Sequence, residues 1–280
     1  MDGGNTWSRR EEVAAIAKKR LYRGCMRCII AVTMTEQESD PRREAEPSLF
    51  TLALSLVGPA PEDTPATLQL KPGQTVVAIG DSITAYGNFN GYLTMWDTFL
   101  AQHYPDLKIP NIINAGIGGQ TSQDLVARFQ SDVVDKKPDM VTISIGINDV
   151  WSRLGAPHDE EILAAYKQNI TKMIDMAQGA GIEVLLLTPT IIVEDLNSEG
   201  NRRLAMYVEA EQQIAKEKKC ALVDLHRLFL AALHKKPADG EPTWLTADGV
   251  HMKPLGYAIM AVGLLRGFGV SDALLAAHRG

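Results

Sequence analysis

The stretch 75-TVVAIGDSIT-84 decides how this chain is read. Val76 to Ile79 form an apolar run with no polar alternation, as expected of a strand covered on both faces. The run ends at Gly80, and an acid and a hydroxyl follow at once, Asp81 and Ser82. Polar side chains at the end of a buried strand belong where a ligand meets the fold, because loops and helix N-termini converge there in open α/β sheets.

Four more runs of the same kind lie downstream: "NIINAG" (111–116), "MVTISIG" (140–146), "EVLLLTP" (183–189) and "CALVDL" (220–225). Longer segments of helical period separate them. In 158–179, Ile162, Tyr166, Ile170, Met173, Ile174 and Ala177 fall at three- and four-residue spacing on one stripe. Thr121 and Asp124 are spaced as a capping box before Leu125, Phe129 and Val133. This alternation predicts an α/β fold with a parallel sheet and helices on both faces. Neither an internal repeat nor a low-complexity block interrupts it.

The chain has 280 residues, 45% of them hydrophobic, enough for one main domain with a large core. Its net charge of −6 argues against a nucleic-acid or anionic-membrane surface and favours a small or neutral partner. No stretch reaches the roughly 18 apolar residues of a membrane span. Cys25, Cys28 and Cys220 are too few for a disulfide framework, and the Cys25–Cys28 pair lacks the second ligand pair of a structural zinc site. Cys220 opens an apolar run and is expected as a core thiol. Residues 1–70 differ from the rest in their charge runs and the Pro-rich "GPAPEDTPA", and are expected as an N-terminal extension before the main domain over 71–280. Within them "SLFTLALSLVGPA" (48–60) resembles the apolar part of an export signal, although acidic residues precede it. Secreted, periplasmic and cytoplasmic locations all stay open.

A serine hydroxyl becomes a nucleophile only when a base takes its proton and a third group holds that base in one tautomer. His251 in "LTADGVHMKPLGY" has Asp248 three residues before it, across a glycine-containing turn that can fold both side chains to one side. A second pair, Asp224 and His226 in "DLH", would share a face if the strand continued that far. His103, His158, His234 and His278 have no comparable setting. Acyl transfer also needs donors for the oxyanion. Gly119 in "GIGGQTS" offers an unobstructed backbone N–H, Asn148 in "GIND" a side-chain amide, and Ser82 its own N–H.

Taken in order, "GDSIT", "NAGIGGQTS", "GIND" and "DGVH" resemble the four blocks of the SGNH hydrolases, also called GDSL esterases and lipases, over about residues 75 to 267. The resemblance implies a flavodoxin-like three-layer αβα sandwich around a five-stranded parallel sheet, and hydrolysis of carboxylic esters with neither metal nor organic cofactor. It matches Ser82 to the nucleophile, Gly119 and Asn148 to the oxyanion hole, Asp248 and His251 to acid and base, and gives Asp81 a supporting role. Ile83 replaces the leucine of the nominal motif, and "HMKP" departs from a more usual "HPN". The first seventy residues have no counterpart in it. The G-x-S-x-G elbow is absent, since Thr84 stands at its second glycine.

Two readings from other classes compete. A metal-dependent phosphoesterase would draw on Asp81, Asn148, Asp149, Asp248 and His251, but needs more histidines than these motifs supply. A non-catalytic phosphate-binding module would use "GIGGQTS", which lacks the Gly-Lys-Ser/Thr ending of a P-loop. Within the ester-hydrolase reading, Tyr86, Phe89, Trp151 and Trp244 are candidate pocket walls. The absence of a long apolar lid favours short acyl chains and leaves acylated carbohydrates, lysophospholipids and thioesters as substrate classes.

Overall fold

The structure is a computed structural model that describes residues 47–60, 70–110, 112–238 and 243–278. All five apolar runs are strands: β1 Val76–Gly80, β2 Ile113–Gly116, β3 Met140–Ser144, β4 Glu183–Leu187 and β5 Ala221–Val223. They pair in parallel in the order β2-β1-β3-β4-β5. The sheet is therefore doubly wound, and its direction of winding reverses between β1 and β3. Gly80 pairs with Gly116 on one side and Ser144 on the other, so three strands finish level with one another. The three polar blocks that follow them start from one edge.

The described helices are α1 Leu49–Val57, α2 Ser82–Ala85, α3 Tyr92–His103, α4 Ser122–Asp132, α5 Ile147–Trp151, α6 Glu160–Gly179, α7 Glu199–Lys218, α8 Leu225–Leu233, α9 Pro254–Gly267 and α10 Asp272–Ala277. One layer holds α4, α6 and α7 in sequence, and the other packs α3, α8 and α1 around α9, with α10 against α1. Helix α9 is buried over nearly its whole length, the expected state of a helix apolar all round. Helix α6 buries Leu163, Tyr166, Ile170, Met173, Ile174 and Ala177. Ile162, expected on that stripe, is only half-buried, and Leu163 takes its place against the sheet. Thr121 caps α4 as its spacing predicts, with its N–H and hydroxyl both on Asp124 Oδ2, at 2.9 and 2.8 Å.

The signal-like segment is part of this unit. Helix α1 buries Phe50, Ala53, Leu56 and Val57 and packs against α8, α9 and α10. Its ends are fixed by Ser48 Oγ donating to the His278 carbonyl at 2.8 Å and by Arg266 donating to the Gly58 carbonyl at 2.7 Å. The compact unit accordingly begins at Pro47, not at residue 71, because an apolar helical face of this size is stable once it has a surface to cover. Cys25 and Cys28 lie outside the described residues. Cys220 is half-buried against the core, and burial pushes its thiol up to about 11. Among the described residues no helix is long and apolar enough to cross a membrane.

Candidate active site

Strand β1 turns directly into α2 at Gly80. A side chain there would come within 2.3 Å of Thr84 Oγ1 and 2.6 Å of the Ser144 carbonyl, so only glycine lets the two elements close up. Asp81 caps the helix, its Oδ1 accepting from the Ile83 N–H at 2.9 Å. Burial pushes the Asp81 carboxyl up to about 7, against the opposing pull of that N–H and of His251. Ser82 is the first residue of α2, and its backbone N–H belongs to the turn that has no intrahelical acceptor.

The second block lies against the first. Ile117 N–H donates to the Gly80 carbonyl at 3.1 Å, and the side chain that Gly118 lacks would sit 3.8 Å from Ser82 Cβ. Gly119 follows at φ +78°, a left-handed conformation that glycine adopts freely. The third block is bonded to the second: the Asn148 amide donates to the Gln120 carbonyl at 2.9 Å, and its other N–H makes no hydrogen bond among the described residues. Asp149 accepts from the Ser122 N–H at 3.0 Å and from its hydroxyl at 2.6 Å, while Asn169 donates to the same hydroxyl at 3.1 Å. Burial raises the Asp149 carboxyl, with the Ser122 bonds acting against it. Arg128 fastens the strand ends from outside through the Gly80 and Ala115 carbonyls and the Gln120 side chain.

The fourth block is a loop between α8 and α9. His251 Nδ1 lies 2.7 Å from Asp248 Oδ2, and His251 Nε2 lies 2.7 Å from Ser82 Oγ. Asp248 Oδ1 accepts the N–H groups of Val250 and His251 at 3.1 and 2.8 Å. Partial burial raises the Asp248 carboxyl, but these N–H groups and the imidazole outweigh it and hold the group below its ordinary value. An ionised carboxylate only accepts, so Nδ1 carries the ring proton, and Nε2 is left to accept the Ser82 O–H.

Sequence reasoning missed what holds this loop. Glu194, almost fully buried, accepts from the backbone N–H groups of Trp244, Leu245 and Thr246 at 2.6–2.8 Å, from the Thr246 hydroxyl at 2.9 Å and from Lys236 Nζ at 2.8 Å. Burial works to raise its carboxyl, but Lys236 and the three N–H groups bring it below the ordinary range. Beside it Val193, left-handed at φ 55°, donates its N–H to the Gly249 carbonyl at 2.8 Å. A lone glutamate after an apolar run carries no sign in sequence of partners fifty residues away.

The aromatic candidates divide. Tyr86 meets the His251 ring edge-on at 5.8 Å and is 51% exposed, Phe89 is 77% exposed and Trp151 38%. Trp244 is instead half-buried against the core. The alternative pair Asp224 and His226 does not form. Strand β5 ends at Val223, Asp224 caps α8 by accepting from the Arg227 N–H, and the buried His226 ring donates from Nδ1 to the Thr190 carbonyl at 2.5 Å. No three His, Cys, Asp or Glu side chains gather in a metal-holding arrangement among the described residues.

A serine, a histidine and an aspartate thus stand in hydrogen-bonded sequence at the switch point of a doubly wound sheet, and a family model gives the class its name. The GDSL-like Lipase/Acylhydrolase family model matches residues 78–259, and the chain belongs to that family. It is a carboxylic ester hydrolase. An acetylxylan esterase from Geobacillus stearothermophilus is 31% identical over 217 residues, covering 72% of this chain and 97% of that one. Its crystal structure superposes with a TM-score of 0.66 at 31% identity over 73% of this chain and 98% of its own. Esterase TesA from Pseudomonas aeruginosa is 28% identical over 65% of this chain and 82% of its own. LAE5, an alpha/beta hydrolase enzyme from the metagenome of Lake Arreo, Spain, superposes with a TM-score of 0.64 at 27% identity, covering 71% of this chain and 96% of that one.

Proposed function

We propose that the chain is a serine esterase that removes short acyl groups, acetyl above all, from acylated carbohydrates or other small esters. The observation that carries this reading is the continuous relay from Asp248 through His251 to Ser82, two contacts of 2.7 Å each. Ser82 Oγ attacks the ester carbonyl as His251 Nε2 takes its proton, and Asp248 stabilises the imidazolium. The tetrahedral oxyanion accepts from the N–H groups of Ser82 and Gly119 and from the Asn148 amide. Nε2 then protonates the leaving alcohol, and water, deprotonated by the same nitrogen, releases the acid from Ser82. No step requires a metal or organic cofactor. Activity falls on acidification, since a protonated His251 cannot accept from Ser82; a rate unchanged to pH 4 would contradict the base assignment.

Catalytic mutants of the Geobacillus acetylxylan esterase change a serine, an aspartate or a histidine to alanine, the aspartate and histidine spaced as Asp248 and His251 are. Another mutant alters a tryptophan directly before that aspartate. Here Ala247 precedes Asp248, and the aromatic ring against the imidazole is that of Tyr86. An exposed aromatic face beside the imidazole suits a sugar ring or a small acyl group. The test is kcat/KM across nitrophenyl esters of rising chain length, beside acetylated xylooligosaccharides. The reading predicts a maximum at acetyl and release of acetate from the sugar. A maximum at long chains with no acetate release would replace it with a lipid-directed activity.

A further inference from the structure

We infer that Tyr166 and Glu211 form a buried, uncharged pair that positions the Asn148 amide, with Glu211 present as the neutral acid and Tyr166 as its relay to the turn. The inference rests on the proposed role of Asn148 as an oxyanion donor and assigns that role its support.

The hydrogens available decide the protonation state. Tyr166 Oη, on α6, lies 3.0 Å from the Ile145 carbonyl and in still closer contact with Glu211 Oε1, on α7. A phenol has one hydrogen, a carbonyl only accepts, and a carboxylate only accepts. With Glu211 ionised, two acceptors would share one hydrogen, and one oxygen pair would face each other bare. With Glu211 protonated, the acid donates to Oη and Oη donates to the Ile145 carbonyl, so each contact holds one hydrogen. The surroundings favour the same state. Glu211 is fully buried, and its Oε2 has no hydrogen-bond partner among the described residues. Asp149 and Asp224 add negative potential, and burial drives the carboxyl well above its ordinary value. A charge left so uncompensated would be costly.

The pair bears on the site through the turn at the end of β3. Ile145 precedes Gly146, which stands at φ +129°, and a side chain at Gly146 would come within 2.6 Å of the Pro189 ring and 2.8 Å of Tyr166 Oη. The phenol hydroxyl therefore lies directly under the turn whose next two residues are Ile147 and Asn148. Tyr207 closes the far side of the Tyr166 ring edge-on at 4.7 Å. Asn148 is then fixed from two directions, by the Gln120 carbonyl and by a backbone whose preceding carbonyl is held from below.

The test is a double-mutant cycle in the full chain with nitrophenyl acetate. Asn148→Ala is expected to lower kcat about 100-fold, the cost of one oxyanion donor. Tyr166→Phe is expected to lower kcat about tenfold with KM nearly unchanged, and to cost nothing more in the Asn148→Ala background, since it acts through that amide. Glu211→Gln, whose amide N–H can donate to the phenol as the acid does, is expected to stay within about threefold of the wild-type rate, and Glu211→Leu to resemble Tyr166→Phe. Should Tyr166→Phe or Glu211→Leu not fold, the infrared difference between the wild type and the conservative Glu211→Gln at neutral pH, one protonated-carboxyl stretch lost in the variant, tests the neutral acid alone. Equal tenfold losses in both backgrounds would reduce Tyr166 to a packing role, and absence of the carboxyl band would make Glu211 a carboxylate; either overturns the inference while leaving the esterase reading intact. Full activity in Asn148→Ala would instead remove the oxyanion assignment and the positioning role with it.

Discussion

Ser82, Gly119 and Asn148 sit on the ends of β1, β2 and β3, whereas Asp248 and His251 sit on a loop with no strand beneath them. The first group is held by the sheet register and by close backbone contacts at Gly80 and Gly116. The second is held by one buried carboxylate, Glu194, gripping three consecutive N–H groups just upstream. The acids of the two regions also differ in sign: Asp81 is pushed up to about 7 by burial, while Asp248 is held below its ordinary value by the N–H groups and imidazole around it. A sheet edge can bury a carboxyl beside the nucleophile, and an open loop keeps its carboxylate ionised for the histidine.

The largest expected effect crosses the junction between the regions. Ser82→Ala and His251→Ala should each lower kcat by about 10⁴- to 10⁶-fold with the melting temperature retained, because members of one relay fail together. Near-normal turnover in either would break the link between sheet and loop. Next is the clamp. Glu194→Ala removes the acceptor for three buried N–H groups and should lower stability by about 2–4 kcal/mol, seen as a fall in melting temperature together with kcat. A variant with an unchanged melting temperature would show the loop to be held otherwise. On the sheet side, Gly116→Ala would drive a methyl to within 2.2 Å of the Ala85 N, behind α2. A loss of about 1–3 kcal/mol is expected from such overpacking, against roughly 1 kcal/mol for Gly119→Ala, where only the left-handed backbone resists. Equal costs in chemical denaturation would deny that β2 packs so tightly on α2.

The two regions also differ in pH dependence. Between the ordinary Asp value of 3.8 and about 7, folded Asp81 binds more protons than the unfolded chain does, so stability falls as pH rises through that window and is level above it. Asp248 has the opposite sign, its contribution being lost as pH falls through its lowered value. Asp81→Asn should flatten the decline between about pH 4 and 7 in denaturation midpoints. An identical slope in that variant would mean that Asp81 ionises as freely as an exposed acid.

The same division governs what sequence reveals. The sheet half was legible because each strand is a short apolar run and each motif follows its strand at once, so neighbours in space are announced by neighbours in sequence. The Asp248–His251 pair was legible for the same local reason, three residues across a glycine. Glu194, Glu211 and Arg128 were not, because their roles arise only when distant segments meet, and a single acidic or basic residue shows no pattern of its own. Helix α1 fell outside the expected domain for a related reason: an apolar stretch among charge runs and prolines gives no sign in sequence of the distant surface, α9, that it covers. The strand continuation that would have joined Asp224 to His226 gave way to a helix cap, since an aspartate one residue after a strand satisfies the first N–H groups of α8.

The activated hydroxyl of Ser82 is tested most directly by labelling with a serine-directed nitrophenyl phosphonate and locating the adduct by peptide mass. The account predicts one adduct per chain, on Ser82, formed at a rate that falls by about 10³-fold or more in His251→Ala. An adduct on another residue, or labelling of Ser82 at the same rate without the imidazole, would contradict it.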